Sequence, residues 1–325
     1  MSRGMRSVMA IVAVLAAVPA IAAADTPSGV QRRTQLHIAV QNTWFTDANV
    51  RRYGVRNDVI SISGHWFLQQ GTLGGTFQDF LAKTQADVEG RLGAFKAAHP
   101  EVEPGTDATI VIDIERPHPK DLRTYSRRAR EAIVDAYQVR IAATKATFPN
   151  AKLALYGTLN PDGRGRADDA TYRRRLAALT RAGREGLYDN LDYLVPVLYV
   201  RFGCDDQVNG PCDRRWDTLD EYTQLGVDGS RRLRKTDASS PPLLPLLGFR
   251  VYNGNSAFNR ELLINLGVPD PLGATLGKQI DILRDNGVEH FALWTGRDRN
   301  ELGGPTDATV TDYLCELFRP RCRSR

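Results

Sequence analysis

Cysteine is scarce in this chain and comes late. There are four in 325 residues, none before position 204. None sits in a tight Cys-x-x-Cys or histidine spacing of the kind zinc sites favour. A metal is therefore not expected, and nothing else in the sequence calls for a cofactor. Histidine is also sparse, with five residues at His37, His65, His99, His118 and His290. No serine–histidine–acid order stands out among them. Gly71–Gly75 reads GTLGG, which does not fit the glycine-rich first turn of a phosphate-binding open sheet. Past the first 24 residues, no apolar run reaches the ~20 residues a membrane helix needs. Basic clusters occur at Arg173-Arg174-Arg175 and Arg231-Arg232-Leu233-Arg234-Lys235, without interleaved aromatics. They read as solvated helix faces or loops, and nucleic-acid binding is not expected.

What is present begins at the N-terminus. Arg3 and Arg6 precede an apolar run from Val8 to Val18, then Pro19 and the small-residue segment Ala20–Ala24. That order is the order of a secretory signal, with cleavage expected after Ala22 or Ala24. Residues 1–24 are thus read as a signal peptide and 25–325 as one domain. The remaining 301 residues carry 41 basic against 38 acidic side chains, a net charge of +3. We expect a secreted or periplasmic monomer with no membrane insertion after cleavage. In that oxidising setting the cysteines fall into two local pairs, Cys204 with Cys212 and Cys315 with Cys322. Three connectivities are possible, and the local one closes the least chain.

Seven short segments rich in Val, Ile, Leu and Tyr read as buried strands. They are 36–40, 59–63, 109–114, 152–156, 193–199, 243–249 and 290–294. An eighth, weaker strand is sought near 219–226 or in the helix-poor start. Helical periodicity marks 77–98, 126–147, 171–182 and 276–286. Strands alternating with helices imply crossover connections and a parallel sheet. Eight would close a single (β/α)8 TIM-like barrel, a fold whose usual length suits this chain.

Active sites of such barrels gather at the C-terminal strand ends. The segment Thr109–Pro117 reads TIVIDIERP. Side chains alternate along a strand, so Ile110, Ile112 and Ile114 share one face, toward the helices. Asp113 and Glu115 share the other, toward the axis. Two carboxylates on one inner face cannot both ionise freely, and one should keep a proton at neutral pH. Other strand ends supply Tyr156, Tyr199, Arg250, Tyr252 and Trp294. Aromatic faces stack on sugar rings, and tyrosine hydroxyls add directed hydrogen bonds. His118 could touch the site and His65, beside Trp66, could line the mouth; neither is assigned a catalytic role.

The order of these motifs resembles the hyaluronidase-type glycoside hydrolases of family 56, over roughly residues 107–300. The matching elements are Asp113-Ile114-Glu115-Arg116-Pro117, the segment from Leu155-Tyr156 to Asn160-Pro161-Asp162, and Val195-Pro196-Val197-Leu198-Tyr199. Pro245–Tyr252 and Leu293-Trp294-Thr295-Gly296 follow in the same order. The resemblance implies a retaining endo-hexosaminidase acting on a polysaccharide. Glu115 would be its acid/base, and Asp113 would orient the substrate's 2-acetamido group as internal nucleophile. A tyrosine, here Tyr199, would help hold that group. Tyr156, Arg250, Tyr252 and Trp294 would contact the sugar. The sequence departs from the family in three ways. Arg116-Pro117 follow Glu115 at once, without the family's intervening acid and Trp. Val195 stands where a second tyrosine is expected, and the first hundred residues do not match. Two other readings stay open: a barrel that binds glycans without cleaving them, and a lysozyme-type muramidase.

Overall fold

The computed structural model describes residues 35–39, 56–67, 77–100, 108–114, 126–159, 183, 185–198, 219–231, 233, 241–247 and 274–293. All of them belong to one compact unit, Arg33–Arg325. The described residues hold seven strands and five α-helices. The strands are β1 (Gln35–Ala39), β2 (Arg56–Ser63), β3 (Thr109–Asp113), β4 (Lys152–Leu159), β5 (Tyr193–Pro196), β6 (Leu246–Leu247) and β7 (His290–Leu293). The helices are α1 (Phe77–Ala82), α2 (Gln85–Ala98), α3 (Arg127–Thr147), α4 (Leu219–Arg231) and α5 (Ala274–Asp285). Each expected strand segment overlaps one of the seven, though among the described residues of 243–249 only Leu246–Leu247 is strand and among those of 193–199 only Tyr193–Pro196.

The strands form one parallel sheet in the order β5-β4-β3-β2-β1-β7-β6. The two ends of that order also meet. Isolated parallel bridges join Leu194 to Leu243 and Val197 to Leu246. The Leu244 amide donates to the Leu194 carbonyl at 2.8 Å and the Leu198 amide to the Leu246 carbonyl at 2.8 Å. β5 stops at Pro196 because proline has no amide to add to the ladder. In β4 the register slips between Tyr156 and Leu159, where Gly157 takes φ 71°. A glycine in the left-handed region lets the strand bulge there.

Two apolar layers follow from the alternation of side chains. The outer one combines Ile60, Ile62, Ile110, Ile112, Leu153, Leu155, Phe291 and Leu293 with helix residues such as Leu92, Ile133, Tyr137 and Leu283. The inner one holds no helix residue and comprises Val59, Val111, Ala154, Tyr156, Tyr193, Val195, Val197, Leu244, Leu246 and Ala292. Fully burying one such aliphatic side chain stabilises the fold by roughly 1.5–3 kcal/mol.

Three helix boundaries show how the sequence acts locally. The stretch 77–98, expected as one helix, is two. Thr84 is extended, its hydroxyl accepts from the Asp87 amide at 3.2 Å, and the Asp87 carboxylate accepts from the Thr84 amide at 3.0 Å. This reciprocal cap ends any continuation from α1 and starts α2 afresh. It also holds the exposed Asp87 carboxyl below its ordinary range, chiefly through the Thr84 amide bond. α5 ends as the sequence suggests. Gly287 at φ 65° donates to the Arg284 carbonyl at 2.8 Å, and Val288 donates to the Leu283 carbonyl at 2.9 Å. That double bond satisfies two last-turn carbonyls. The segment 219–226, sought as an eighth strand, is helical. Buried Thr223, Gly226, Val227 and Ser230 recur every three or four residues, a helical period.

One buried group has no signature in the sequence. Arg140 in α3 is fully buried. Its Nη1 donates to the Ala136 carbonyl at 2.7 Å and its Nη2 to the Phe80 carbonyl at 2.9 Å. Its Cζ lies 4.0 Å from the centre of the Phe80 ring. No carboxylate among the described residues pairs with it. Desolvation pushes its pKa down to about 10, with Tyr137 opposing weakly.

Candidate active site

β3 carries the site because it breaks its own pattern. Ile110, Ile112 and Ile114 are buried in the outer layer, as the alternation requires. Val111 fills the inner layer. Asp113, two residues on, takes the inner face at the C-terminal end of the strand and is half-buried. The apolar layer ends beneath it.

The neighbouring strands set its surroundings. Ser63 of β2 is in register with Asp113, and Ser61 with Val111. The buried Ser61 hydroxyl donates to Asp113 Oδ2 at 3.4 Å. Ser63 Oγ lies 2.6 Å from His65 Nδ1. His65 belongs to a single 3-10 turn, Gly64–Trp66, that follows β2 directly. Trp66 anchors that turn, its ring meeting Phe95 of α2 edge-on at 5.3 Å. On the other side, Ile112 is in register with Leu155, so Tyr156 occupies the row beside Asp113. Tyr156 is buried and belongs to the inner layer.

The opposite, N-terminal end of the inner face carries a different set. Lys152 Nζ donates to the Tyr193 hydroxyl at 3.3 Å, and the Tyr193 ring meets the His290 ring at 5.6 Å. Tyr193 therefore starts its strand at the far end of the sheet from Asp113. Val195 and Val197, which follow Tyr193 at alternate positions along the chain, are buried in the same inner layer. The end of β5 is held from outside by Gln279 of α5. This buried side chain donates to the Leu198 carbonyl at 2.9 Å and to Thr223 of α4 at 3.4 Å.

Of the expected site residues, the structure thus brings together Asp113 and Tyr156. Glu115, His118, Tyr199, Arg250, Tyr252, Trp294 and all four cysteines lie outside the described residues. Sequence reasoning passes over Ser61 and Ser63. Their signal is nonetheless present: in Val59-Ile60-Ser61-Ile62-Ser63 the polar residues alternate with buried apolar ones and so share a face. Among the described residues no group of three or more His, Cys, Asp or Glu side chains could hold a metal ion. No described helix is long and apolar enough to cross a membrane. Chemically, the site offers a carboxylate set on a dry apolar floor, steadied by a hydroxyl from the next strand. Such a group can accept a hydrogen bond from a substrate and stabilise positive charge near it.

No family model matches the chain, and no curated protein does. Solved structures do. Bee venom hyaluronidase in complex with a hyaluronic acid tetramer overlays with a TM-score of 0.52 at 14% identity, covering 90% of this chain and 97% of that one. A monoclinic crystal structure of bee venom hyaluronidase gives 0.54 at 13% identity, covering 89% and 99%. A glycoside hydrolase family 44 xyloglucanase from Paenibacillus polymyxa overlays at 0.36 and 13% identity, over 72% of this chain and 52% of that one. At these identities the likeness to the hyaluronidase is one of fold.

Proposed function

We propose that the protein is an exported glycoside hydrolase that cleaves an N-acetylhexosamine-containing polysaccharide with retention, by substrate assistance. The observation that carries this reading is the placement of Asp113. It ends an apolar strand, faces the strand-built interior and precedes Glu115 by two residues. The sequence alternation assigns Glu115 to the same face in this reading. The sheet is read as a closed TIM-like barrel, supported by the bridges from Leu194 to Leu243 and Val197 to Leu246. The shared fold with a hyaluronidase supports the same reading.

Each residue then has a role. Glu115 gives its proton to the glycosidic oxygen as the C1–O bond breaks. The carbonyl oxygen of the 2-acetamido group forms a bond to C1 from the opposite face, and the positive charge passes to the resulting five-membered ring. Asp113 accepts the acetamido N–H and stabilises that charge, with Tyr199 holding the carbonyl oxygen. Glu115, now a carboxylate, takes a proton from water, whose oxygen attacks C1 and reopens the ring. This is an established exception to the scheme of two independent carboxylates. In it the substrate's own acetamido group attacks C1, so the second carboxylate need not be the nucleophile. Tyr156, Arg250, Tyr252 and Trp294 are assigned to sugar contact, and the two local cysteine pairs to loop-pinning disulfides.

A reducing-end release assay across hyaluronan, chitin fragments and peptidoglycan tests this. Turnover of at least one polymer is expected. Glu115→Gln should abolish it while leaving the unfolding midpoint and sugar binding intact. Full activity in that variant would overturn the assignment. Binding without turnover on every polymer would favour a non-catalytic glycan-binding role.

A further inference from the structure

Ser61 is a polar interruption in an otherwise apolar stretch of β2. It sits mid-strand in β2 between Ile60 and Ile62, which face outward into the helix-covered layer. Ser61 itself is 2% exposed and faces inward. The neighbouring inner positions are Val59 on its own strand and Val111 in register beside it. A hydroxyl buried among such groups costs free energy unless it finds a partner. Its partner is the carboxylate of the next strand, Asp113 Oδ2 at 3.4 Å.

The geometry is diagonal. Ser63 stands level with Asp113, and Ser61 stands one inward-facing step below it. The Ser61 hydroxyl therefore reaches the carboxylate from beneath, from the apolar floor and not from the mouth. A carboxylate rotates freely over broad wells about its last torsion. A donor fixed at Oδ2 restricts that rotation, and the other oxygen, Oδ1, is itself buried. A hydrogen bond to the ionised form also favours ionisation.

We propose that Ser61 is a positioning residue for Asp113. It holds Oδ2 and so fixes the orientation in which the carboxylate meets the substrate. This rests on the reading above, in which Asp113 orients the acetamido group. By register, Ser63, joined to His65 from β2, and Tyr156 from β4 also flank Asp113.

The test uses Ser61→Ala and Ser61→Thr in the full chain, with two readouts. The first is the titration of the Asp113 side-chain carboxyl by carbon-13 NMR in substrate-free protein, assigned with Asp113→Asn. The second is kcat and KM as a function of pH on whichever polymer the wild type cleaves. Ser61→Ala should raise the Asp113 midpoint by about half to one pH unit. It should lower kcat about tenfold with little change in KM, as loss of one orienting hydrogen bond does. Ser61→Thr keeps the hydroxyl in a strand-compatible side chain and should restore both. An unmoved Asp113 midpoint in folded Ser61→Ala overturns the proposal, as does a threonine variant that folds but restores neither readout. The two readings separate cleanly. A shifted midpoint in a protein that cleaves nothing keeps the Ser61–Asp113 link and rejects glycosidase function. Turnover with an unshifted midpoint does the reverse.

Discussion

Replacing Arg140 tests how a buried cation is tolerated with no acid beside it. Desolvation lowers its pKa to about 10 in the folded protein. Each tenfold loss of proton affinity is worth ~1.4 kcal/mol, so keeping the charge at pH 7 costs about 3 kcal/mol. The sign follows from proton counts. The unfolded chain binds more protons from pH 10 up to the ordinary arginine value, so stability rises only across that window. Below pH 10 the penalty is present in full. Arg140→Met removes it and keeps the side chain's length. Against that gain stand two losses. The stack on Phe80 is a contact of about 2 kcal/mol when desolvated. The Phe80 carbonyl loses its side-chain donor, at about 1–3 kcal/mol. That carbonyl lies in the last turn of α1, and the Thr84 amide that would continue the helix is committed to Asp87. The terms nearly cancel, and Arg140→Met should unfold within about 2 kcal/mol of the wild type. Arg140→Lys is the closer chemical relative and should fare worse. It keeps a buried cation, cannot lie flat on Phe80 and cannot serve two carbonyls at once, so a loss of about 3 kcal/mol is expected. Urea unfolding at pH 7, followed by tryptophan fluorescence and far-ultraviolet circular dichroism, ranks the three. A lysine variant as stable as the wild type, with the methionine variant several kcal/mol below, would refute the reasoning.

Two other perturbations follow from named contacts. Gln279→Leu strips the donor from the Leu198 carbonyl and from Thr223 at the end of β5, and should cost about 1–3 kcal/mol in urea unfolding. A stabilised variant would mean that these bonds contribute nothing. Thr84→Ala removes the hydroxyl half of the reciprocal cap of α2 and leaves the backbone amide bond, so the Asp87 carboxyl should rise only part of the way toward its ordinary range. Because the folded Asp87 pKa is lowered, its contribution is present above the ordinary carboxylate pKa and fades as pH falls through the folded value. The wild-type advantage over Thr84→Ala should therefore shrink in acid, read as thermal midpoints at about pH 6 and about pH 2; a gap that stays constant rejects the cap.

The strands are legible in the sequence because a parallel sheet covered on both faces needs unbroken apolar runs, and β3 and β4 supply them. Asp113 is legible for the opposite reason, as an acid interrupting such a run. The break at Lys83-Thr84 is not, because the apolar period of Phe77, Phe80, Val88 and Leu92 runs through it. Only the pairing of Thr84 with Asp87 reveals the boundary, and that pairing depends on backbone angles. The helix at 219–231 is hard to read because its buried face is made of Thr223, Gly226, Val227 and Ser230, mostly small or polar residues. Arg140 leaves no trace at all. An arginine in an amphipathic helix is ordinarily a solvated residue, and its burial is decided by Phe80, 60 residues away in sequence.

The two-layered sheet also explains how a fold can persist at 14% identity. Each layer asks of a position only that its side chain be apolar and of suitable volume, a demand many sequences meet. Drift can therefore rewrite nearly every letter without disturbing the layers. A polar residue on the inner face is different, since it must be offset by a partner wherever it arises. Positions 61, 63 and 113 are such interruptions. In distant members of this architecture, where alignment by letter fails, mapping the breaks in the inner layer offers a way to find the chemistry that needs no matching residues at all.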